Sequence, residues 1–180
     1  DEVYDRRMHV AATPNVTTMK PKKVLMVIAN PSVSTTLGWP VGFWGSDLTH
    51  AWYAFTEVGY DVQLFSPDGG ACVADAMSDP NDPSGYSRSD LISQGFIHTP
   101  ELRALVDATT GVADLDVHDF DAIVVAGGQA PMFTFERATA LQRVFVAFYE
   151  AGKVAAALCH GTAVLAYARG SDGEYIVKGK

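Results

Sequence analysis

The amino-acid sequence predicts an α/β fold in which helices cover both faces of a mostly parallel sheet. Three short apolar runs, 23–29, 121–126 and 154–158, have the length and composition of strands. The first predicts a strand buried on both faces, and the second predicts another buried strand. Segments with apolar residues at helical spacing lie between these runs. Strands that alternate with helices along the chain are typical of a parallel sheet with two helical layers, as in flavodoxin-like or Rossmann-like sandwiches.

The first part of this fold is a β-α-β unit over residues 23–65. A loop rich in Pro, Ser, Thr and Gly follows the first strand, and a helix with apolar residues between positions 48 and 58 comes next. Ser46 or Asp47 can cap the start of this helix, and Gly59 can end it. The alternating pattern of residues 60–65 predicts the second strand.

The rest of the chain supplies more strands and helices in alternation. Residues 66–99 contain many turn formers and predict a long loop of the kind that often serves as a lid or a binding element. A short helix is expected after it, from about Thr99 to Ala108, with Pro100 at its first position. The remaining expected elements are, in order, a strand at 121–126, a helix at 141–148, a strand at 154–158 and a helix at 160–168.

Composition limits the classes of partner. The chain has 180 residues, of which 48% are hydrophobic, so one domain with a sizeable core is expected. The formal charge of −8 argues against nucleic acid or an anionic membrane as a partner, because both require clustered Lys and Arg. No apolar run reaches the roughly 20 residues of a membrane span. Two distant cysteines, Cys72 and Cys159, predict no disulfide framework and favour a reducing, cytoplasmic compartment.

The two ends of the chain differ from its middle. Residues 1–21 are polar and lack periodicity, which predicts an N-terminal extension, and residues 22–180 form the predicted α/β domain. The segment 175–178 has the pattern of a strand, but no helix follows it to cover it. We therefore expect the domain to be truncated at its C-terminal end and to belong to a longer functional unit.

Cys159 is the strongest candidate for a chemical role. It follows a small, apolar strand and is followed at once by His160, Gly161 and a predicted helix. A nucleophile at such a sharp strand-to-helix turn is held exposed, and the glycine lets the turn close. Amide donors at the start of a helix favour the thiolate, and the His160 N–H can stabilise an oxyanion. A buried structural cysteine is the alternative, and it is the commoner fate of a free thiol.

Several segments resemble one known superfamily. The segment Ala156-Ala157-Leu158-Cys159-His160-Gly161 is similar to the nucleophile elbow of the ThiJ/PfpI, class I glutamine amidotransferase-like superfamily, and most of all to its glyoxalase III and heat-shock chaperone-like branch. Residues 42–62 resemble the family segment that carries an acid beside the nucleophile, and residues 119–128 resemble its second oxyanion segment. The resemblance runs from about Lys22 to the end of the chain.

The resemblance implies roles for single residues. Cys159 would be the nucleophile, His160 the adjacent base, and Asp47 the acid that touches the sulfur, where the family usually has Glu. The N–H groups of Gly128 and His160 would form an oxyanion hole. Isocyanide-hydrating relatives also carry Asp in the segment of Asp47.

Two features depart from the pattern of the glyoxalase III branch. Gln129 and Ala130 stand where that branch usually has His and Gly. In that branch, an acidic residue that orients the histidine follows shortly after a Gly-Lys pair. The present chain ends at a similar Gly-Lys pair.

Other residues near the predicted sheet edge are candidates for binding. Gly127 and Gln129 follow a buried strand directly, where glycine permits close approach of a ligand, and Trp44 can form an apolar wall for a small substrate or simply pack in the core. Cys72 lies in a Gly-rich loop and is incidental or redox-active. No Cys/His spacing indicates a zinc site, and the glycine pair is not a dinucleotide fingerprint, so no metal and no cofactor are expected.

These observations together predict a cofactor-independent cysteine enzyme that acts on a small carbonyl-type electrophile. By resemblance, it is a glyoxalase III-like lyase or hydratase that converts methylglyoxal to lactate, and it is a homodimer. A chaperone or redox-sensing dimer is one alternative. An isocyanide hydratase or a glutamine amidotransferase-like hydrolase is another, because it would use the same residues.

Overall fold

The computed structural model describes residues 20–180. Within them, five parallel strands form one sheet in the order β5-β4-β1-β6-β7. These strands are β1 (Lys23–Val27), β4 (Asp61–Ser66), β5 (Thr110–Gly111), β6 (Ala122–Val125) and β7 (Val154–Ala157). The predicted α/β class with a mostly parallel sheet is therefore confirmed.

The middle of the sheet is the most apolar part of the chain. Strand β1 pairs with β4 on one side and with β6 on the other, and Val27 lies between Phe65 and Val125 in the register. Residues 24–29 are buried. A central parallel strand has helices over both faces, which explains why its sequence is continuously apolar rather than alternating.

Two helical layers cover the sheet. The helices are α1 (Gly45–Glu57), α2 (Leu91–His98), α3 (Pro100–Asp107), α4 (Pro131–Thr134) and α5 (Thr139–Glu150). Leu48 of α1, Phe96 of α2 and Val106 of α3 belong to the core on one face. Leu141 and Phe148 of α5 belong to the core on the other face.

Two segments that precede α3 differ from the predicted elements. Residues 66–99, predicted as a loop, contain α2, whose first turn is capped when the Asp90 side chain accepts a hydrogen bond from Ser93 N. The loop after β1 contains a short antiparallel pair, β2 (Ser32–Val33) and β3 (Pro40–Val41). Short elements of this size leave no periodic signal in the sequence.

The C-terminal elements differ as well. The segment after Cys159 is a 3₁₀ helix over Cys159–Ala166. The predicted strand at 175–178 is a turn, because Lys178 N donates to Tyr175 O while Ile176 N donates to Ala168 O. Ile176 is buried there, so its apolar pattern reflects packing rather than a strand.

None of the helices within residues 20–180 is long and apolar enough to cross a lipid bilayer.

Candidate active site

Three segments meet at the carboxyl ends of the central strands, which is where sites of open parallel sheets lie. The start of α1 brings Asp47, the end of β6 leads into Gly127-Gly128, and the end of β7 leads through Leu158 to Cys159. A Cβ added at Gly127 would lie 2.5 Å from Cys159 Cβ, 2.6 Å from Asp47 Oδ2 and 2.9 Å from His160 N. The residues singled out in the sequence are therefore in mutual contact.

Cys159 occupies a strained turn. Its φ is +48°, and it is the one non-glycine residue with positive φ in the part of the chain that the structure describes. Such conformations cost about 1–3 kcal/mol and cluster at functional sites. The thiol is exposed rather than buried, so the alternative of a buried structural cysteine is wrong for Cys159.

Gly161 explains how this turn can form. A Cβ at this position would lie 2.5 Å from Val125 O and 2.7 Å from Ala126 O. The backbone after Cys159 thus passes directly over the end of β6, with Gly161 N donating to Leu158 O at 2.7 Å. Any side chain at position 161 would push the Cys159 turn away from Gly127 and Gly128.

Asp47 faces the Cys159 turn instead of capping its helix. The cap position of α1 is Trp44, and no side chain caps that end, so the prediction that Ser46 or Asp47 is the cap is wrong. The reason is that Asp47 Oδ2 accepts a hydrogen bond from Gly127 N at 3.1 Å. A Cβ added at Gly127 would lie close to both Asp47 Oδ2 and Cys159 Cβ, so the carboxyl group lies beside the nucleophile candidate.

The environment of Asp47 favours its neutral form. Burial raises the pKa of Asp47, and the hydrogen bonds from Gly127 N and Cys159 and the attraction to His160 offset only part of this effect. A carboxyl group with a raised pKa beside a thiol is suited to accept and return a proton.

Two backbone amides face this corner without acceptors of their own. Within residues 20–180, neither Gly128 N nor His160 N donates to a protein atom. Gly128 has φ +116°, and a Cβ there would lie 2.5 Å from Gly42 O and from Phe43 Cα. Only glycine fits this position, and its free N–H is available to a bound oxygen atom.

The ring of His160 is held by the same glycine. His160 Nδ1 lies 3.0 Å from Gly128 O. Since a carbonyl oxygen only accepts hydrogen bonds, Nδ1 must carry the proton, which leaves Nε2 of the neutral ring free to accept one. In the described part of the chain, no carboxylate hydrogen-bonds directly to this ring.

The structure adds one residue that the sequence interpretation missed. Asp75 is buried, with 3% of its surface exposed, and its two oxygens accept from Gly42 N at 2.8 Å and Gln129 N at 2.7 Å. Burial raises the pKa of Asp75, and the two backbone hydrogen bonds and the attraction to His160 counteract this. One signal could have revealed it: Asp75 is the single charge in the otherwise apolar run 71–77.

The remaining candidates surround these groups. The Gln129 backbone belongs to the site through its bond to Asp75, and Trp44 N donates to Gly127 O at 3.0 Å. The half-buried Trp44 ring meets Tyr86 edge-on, with 6.5 Å between ring centroids. Cys72 is buried in another part of the core and is not in this group. Among residues 20–180, no cluster of His, Cys, Asp or Glu is arranged to hold a metal ion.

The site lies within a region that matches a known family. The model of the DJ-1/PfpI family matches residues 40–176. Glyoxalase 3 of Candida albicans is 27% identical over 144 residues, covering 79% of this chain and 59% of that protein. A glutathione-independent glyoxalase of Schizosaccharomyces pombe is 28% identical over 146 residues, covering 79% of this chain and 58% of that protein.

Solved structures agree with these matches. The crystal structure of glyoxalase III from Candida albicans superposes with a TM-score of 0.72 at 25% identity, over 88% of this chain and 65% of that one. The Rapid Encystment Protein 24 KDa of Francisella tularensis superposes with a TM-score of 0.76 at 26% identity, over 87% of this chain and 66% of that one. The chain thus spans about three-fifths of the length of the curated relatives it matches over most of its residues.

Proposed function

Because the chain belongs to the DJ-1/PfpI family, we propose that it is a cysteine-dependent enzyme that converts a small α-oxoaldehyde, such as methylglyoxal, to the 2-hydroxy acid. One observation carries the proposal: an exposed cysteine on a strained turn lies beside a carboxyl group and two backbone N–H groups that have no acceptor within residues 20–180. Relatives named glyoxalases support the choice of substrate.

The first step is addition of sulfur to the aldehyde carbon. Asp47 accepts the thiol proton, a C–S bond forms, and the aldehyde oxygen becomes an oxyanion. The N–H groups of Gly128 and His160 stabilise this charge, as preorganised donors do in other acyl-type chemistry. Protonation of the oxyanion then gives a hemithioacetal.

The second step is an internal redox reaction that needs no external oxidant. A base, Asp47 or His160 Nε2, removes the hydrogen on the former aldehyde carbon and the proton is returned to the neighbouring keto carbon. The first carbon is oxidised to a thioester while the second is reduced to an alcohol. Water then cleaves the thioester, which releases the hydroxy acid and restores the thiol. The net reaction therefore converts the substrate and one water molecule to the hydroxy acid.

The proposal is tested by measuring methylglyoxal consumption and lactate formation for the wild type, Cys159→Ser and Cys72→Ser. We expect Cys159→Ser to lower turnover by at least about 10³-fold, because loss of a nucleophile disables the whole catalytic unit. Cys72→Ser is the matched control, since its thiol is buried elsewhere, and it should keep wild-type turnover.

Other outcomes would overturn the proposal. Turnover of an isocyanide or of glutamine, but not of methylglyoxal, would replace the substrate class. No turnover of any of these, together with suppression of client aggregation that Cys159→Ser leaves unchanged, would assign a chaperone role instead.

A further inference from the structure

The most deeply buried carboxylate near the site does not touch the sulfur. Asp75 Oδ2 accepts a hydrogen bond from Gln129 N at 2.7 Å, and Oδ1 accepts one from Gly42 N at 2.8 Å. Asp75 N also donates to Phe43 O at 2.7 Å, so backbone and side chain both fix this residue. A carboxyl group in a residue that is only 3% exposed is costly to bury, and its presence here needs a reason.

The bond to Gln129 N connects Asp75 to the histidine through a single peptide group. The peptide between Gly128 and Gln129 has its N–H on Asp75 Oδ2 and its C=O on His160 Nδ1, at 2.7 Å and 3.0 Å. The N–H and C=O of a trans peptide point in opposite directions, so the peptide forms a bridge from carboxylate to imidazole. Hydrogen bonds in such a chain polarise one another.

This bridge has two consequences for His160. A carboxylate on the N–H makes the carbonyl a stronger acceptor, and this holds the imidazole with its proton on Nδ1. It also fixes the orientation of the peptide that follows Gly128. The packing of Gly128 against Gly42 and Phe43, together with the bond from Ala130 N to Gly42 O at 2.9 Å, keeps the bridge in place.

We propose that Asp75 is a positioning residue that orients and polarises His160 through the Gly128–Gln129 peptide. It performs the task that a directly bonded carboxylate performs in a catalytic triad, but with one peptide group in between. The inference rests on the proposed function only for its effect on turnover, since the bridge itself is a property of the folded chain.

The variant that tests the bridge is Asp75→Asn, which keeps the size of the side chain and removes its charge. We expect kcat for methylglyoxal to fall about tenfold to a hundredfold with little change in KM, the range expected for loss of a charged hydrogen bond. Alkylation of Cys159 by iodoacetamide should stay within about twofold of the wild type. The thiol proton passes to Asp47, which this variant leaves in place, and the displacement of iodide develops no oxyanion. The matched control is Asp121→Asn, which also removes a carboxylate from a backbone amide, Lys23 N, but at the opposite end of the sheet.

A spectroscopic measurement separates this inference from the proposed function. In ¹⁵N NMR spectra, the neutral His160 ring of the wild type should be the Nδ1–H tautomer, and Asp75→Asn should shift it toward a mixture. This readout needs no turnover, so it decides the inference even if methylglyoxal is not a substrate. An Nε2–H tautomer in the wild type would overturn the inference without any variant. An unchanged tautomer in Asp75→Asn would also overturn the inference. In that case a fall in kcat, with or without a fall in the melting temperature, would show that Asp75 has only a structural role.

Discussion

The two cysteines of the chain occupy contrasting regions, the Cys159 turn (residues 158–161) and the Cys72 loop (residues 69–75). Cys72 is 1% exposed, and its sulfur lies 3.8 Å from Thr109 Oγ1 and 3.9 Å from Asn30 Nδ2. Cys159 is exposed, has a positive φ, and lies beside the carboxyl group of Asp47. One thiol is surrounded by neutral hydroxyl and amide groups, and the other by a charge and unpaired N–H donors.

This difference is the basis for predicting that Cys159, and not Cys72, is the nucleophile. Burial raises the pKa of the Cys72 thiol, and the hydrogen bonds with Thr109 and Ser66 only partly oppose it, so the thiol form is favoured. The Cys72 region also lines a cavity of about 100 Å³ between α1 and the helices α2 and α3. Among the described residues, no group beside Cys72 can accept the proton of its thiol. The cavity alone therefore does not make this region a catalytic site.

The largest difference in turnover between the two regions is expected when one glycine in each region is replaced by alanine. Gly127→Ala would place a Cβ within 2.6 Å of Cys159 Cβ and Asp47 Oδ2, so turnover should fall about 10²–10³-fold as the carboxylate and the oxyanion donors move apart. Gly70→Ala, in the Cys72 loop, has open space around its Cβ but strains a residue at φ +81°. It should cost about 1–2 kcal/mol of stability and leave turnover intact.

Steady-state kinetics and thermal melting of both variants test this pair. Overpacking at Gly127 costs about 1–3 kcal/mol, so the two variants should melt similarly and differ only in rate. Equal turnover in Gly127→Ala and the wild type would show that the contact between the glycine pair and Cys159 has no catalytic meaning.

The second-largest expected difference is in the rate at which the two thiols react with an alkylating reagent. We expect iodoacetamide to modify Cys159 on the order of a hundredfold faster than Cys72 in the native protein, because a local opening costing about 3 kcal/mol must precede reaction of a buried group. Peptide mass spectrometry over a time course measures both rates in one sample. Faster modification of Cys72 at neutral pH would reverse the assignment of the nucleophile.

The sequence contained the signals for the main elements and for the thiol, but not for the bonds between distant segments. The apolar runs that became β1 and β6 are continuous because both faces of these strands are covered, and that pattern is visible locally. Strand β7 is the last strand of the described sheet and is only partly buried. Asp47 was equally compatible with a helix cap, and only the position of β6 beside α1 decides between cap and site. Asp75 is the single charge in an apolar run, but its partners are 33 and 54 residues away, so nothing local identifies the backbone groups that it bonds.

The smallest effect concerns charge, which at neutral pH should destabilise both regions. Removing a carboxylate from one region and adding one to the other should therefore shift the melting temperature in opposite directions. The folded-state pKa of Asp47 is raised by burial, so its contribution to stability is fully present below the ordinary aspartate range and is lost as the pH rises through the folded-state pKa. At neutral pH the ionised group therefore destabilises the fold. Asp47→Asn should melt a few degrees above the wild type at pH 7, with a difference that vanishes in acid, while its turnover falls because an amide cannot take the thiol proton.

The reciprocal variant places a charge in the Cys72 region. Asn30 Nδ2 donates to Gly69 O at 2.9 Å and to Ser66 Oγ at 3.1 Å, and an aspartate carboxylate could not donate to either. Asn30→Asp should therefore melt below the wild type at pH 7, because its carboxylate would face a carbonyl oxygen, and the loss should shrink as acid protonates it. Melting curves of both variants from pH 4 to pH 8 compare the two regions directly. A lower melting temperature for Asp47→Asn than for the wild type at pH 7 would contradict the prediction. It would mean that the hydrogen bond from Gly127 N outweighs the cost of burying the Asp47 charge.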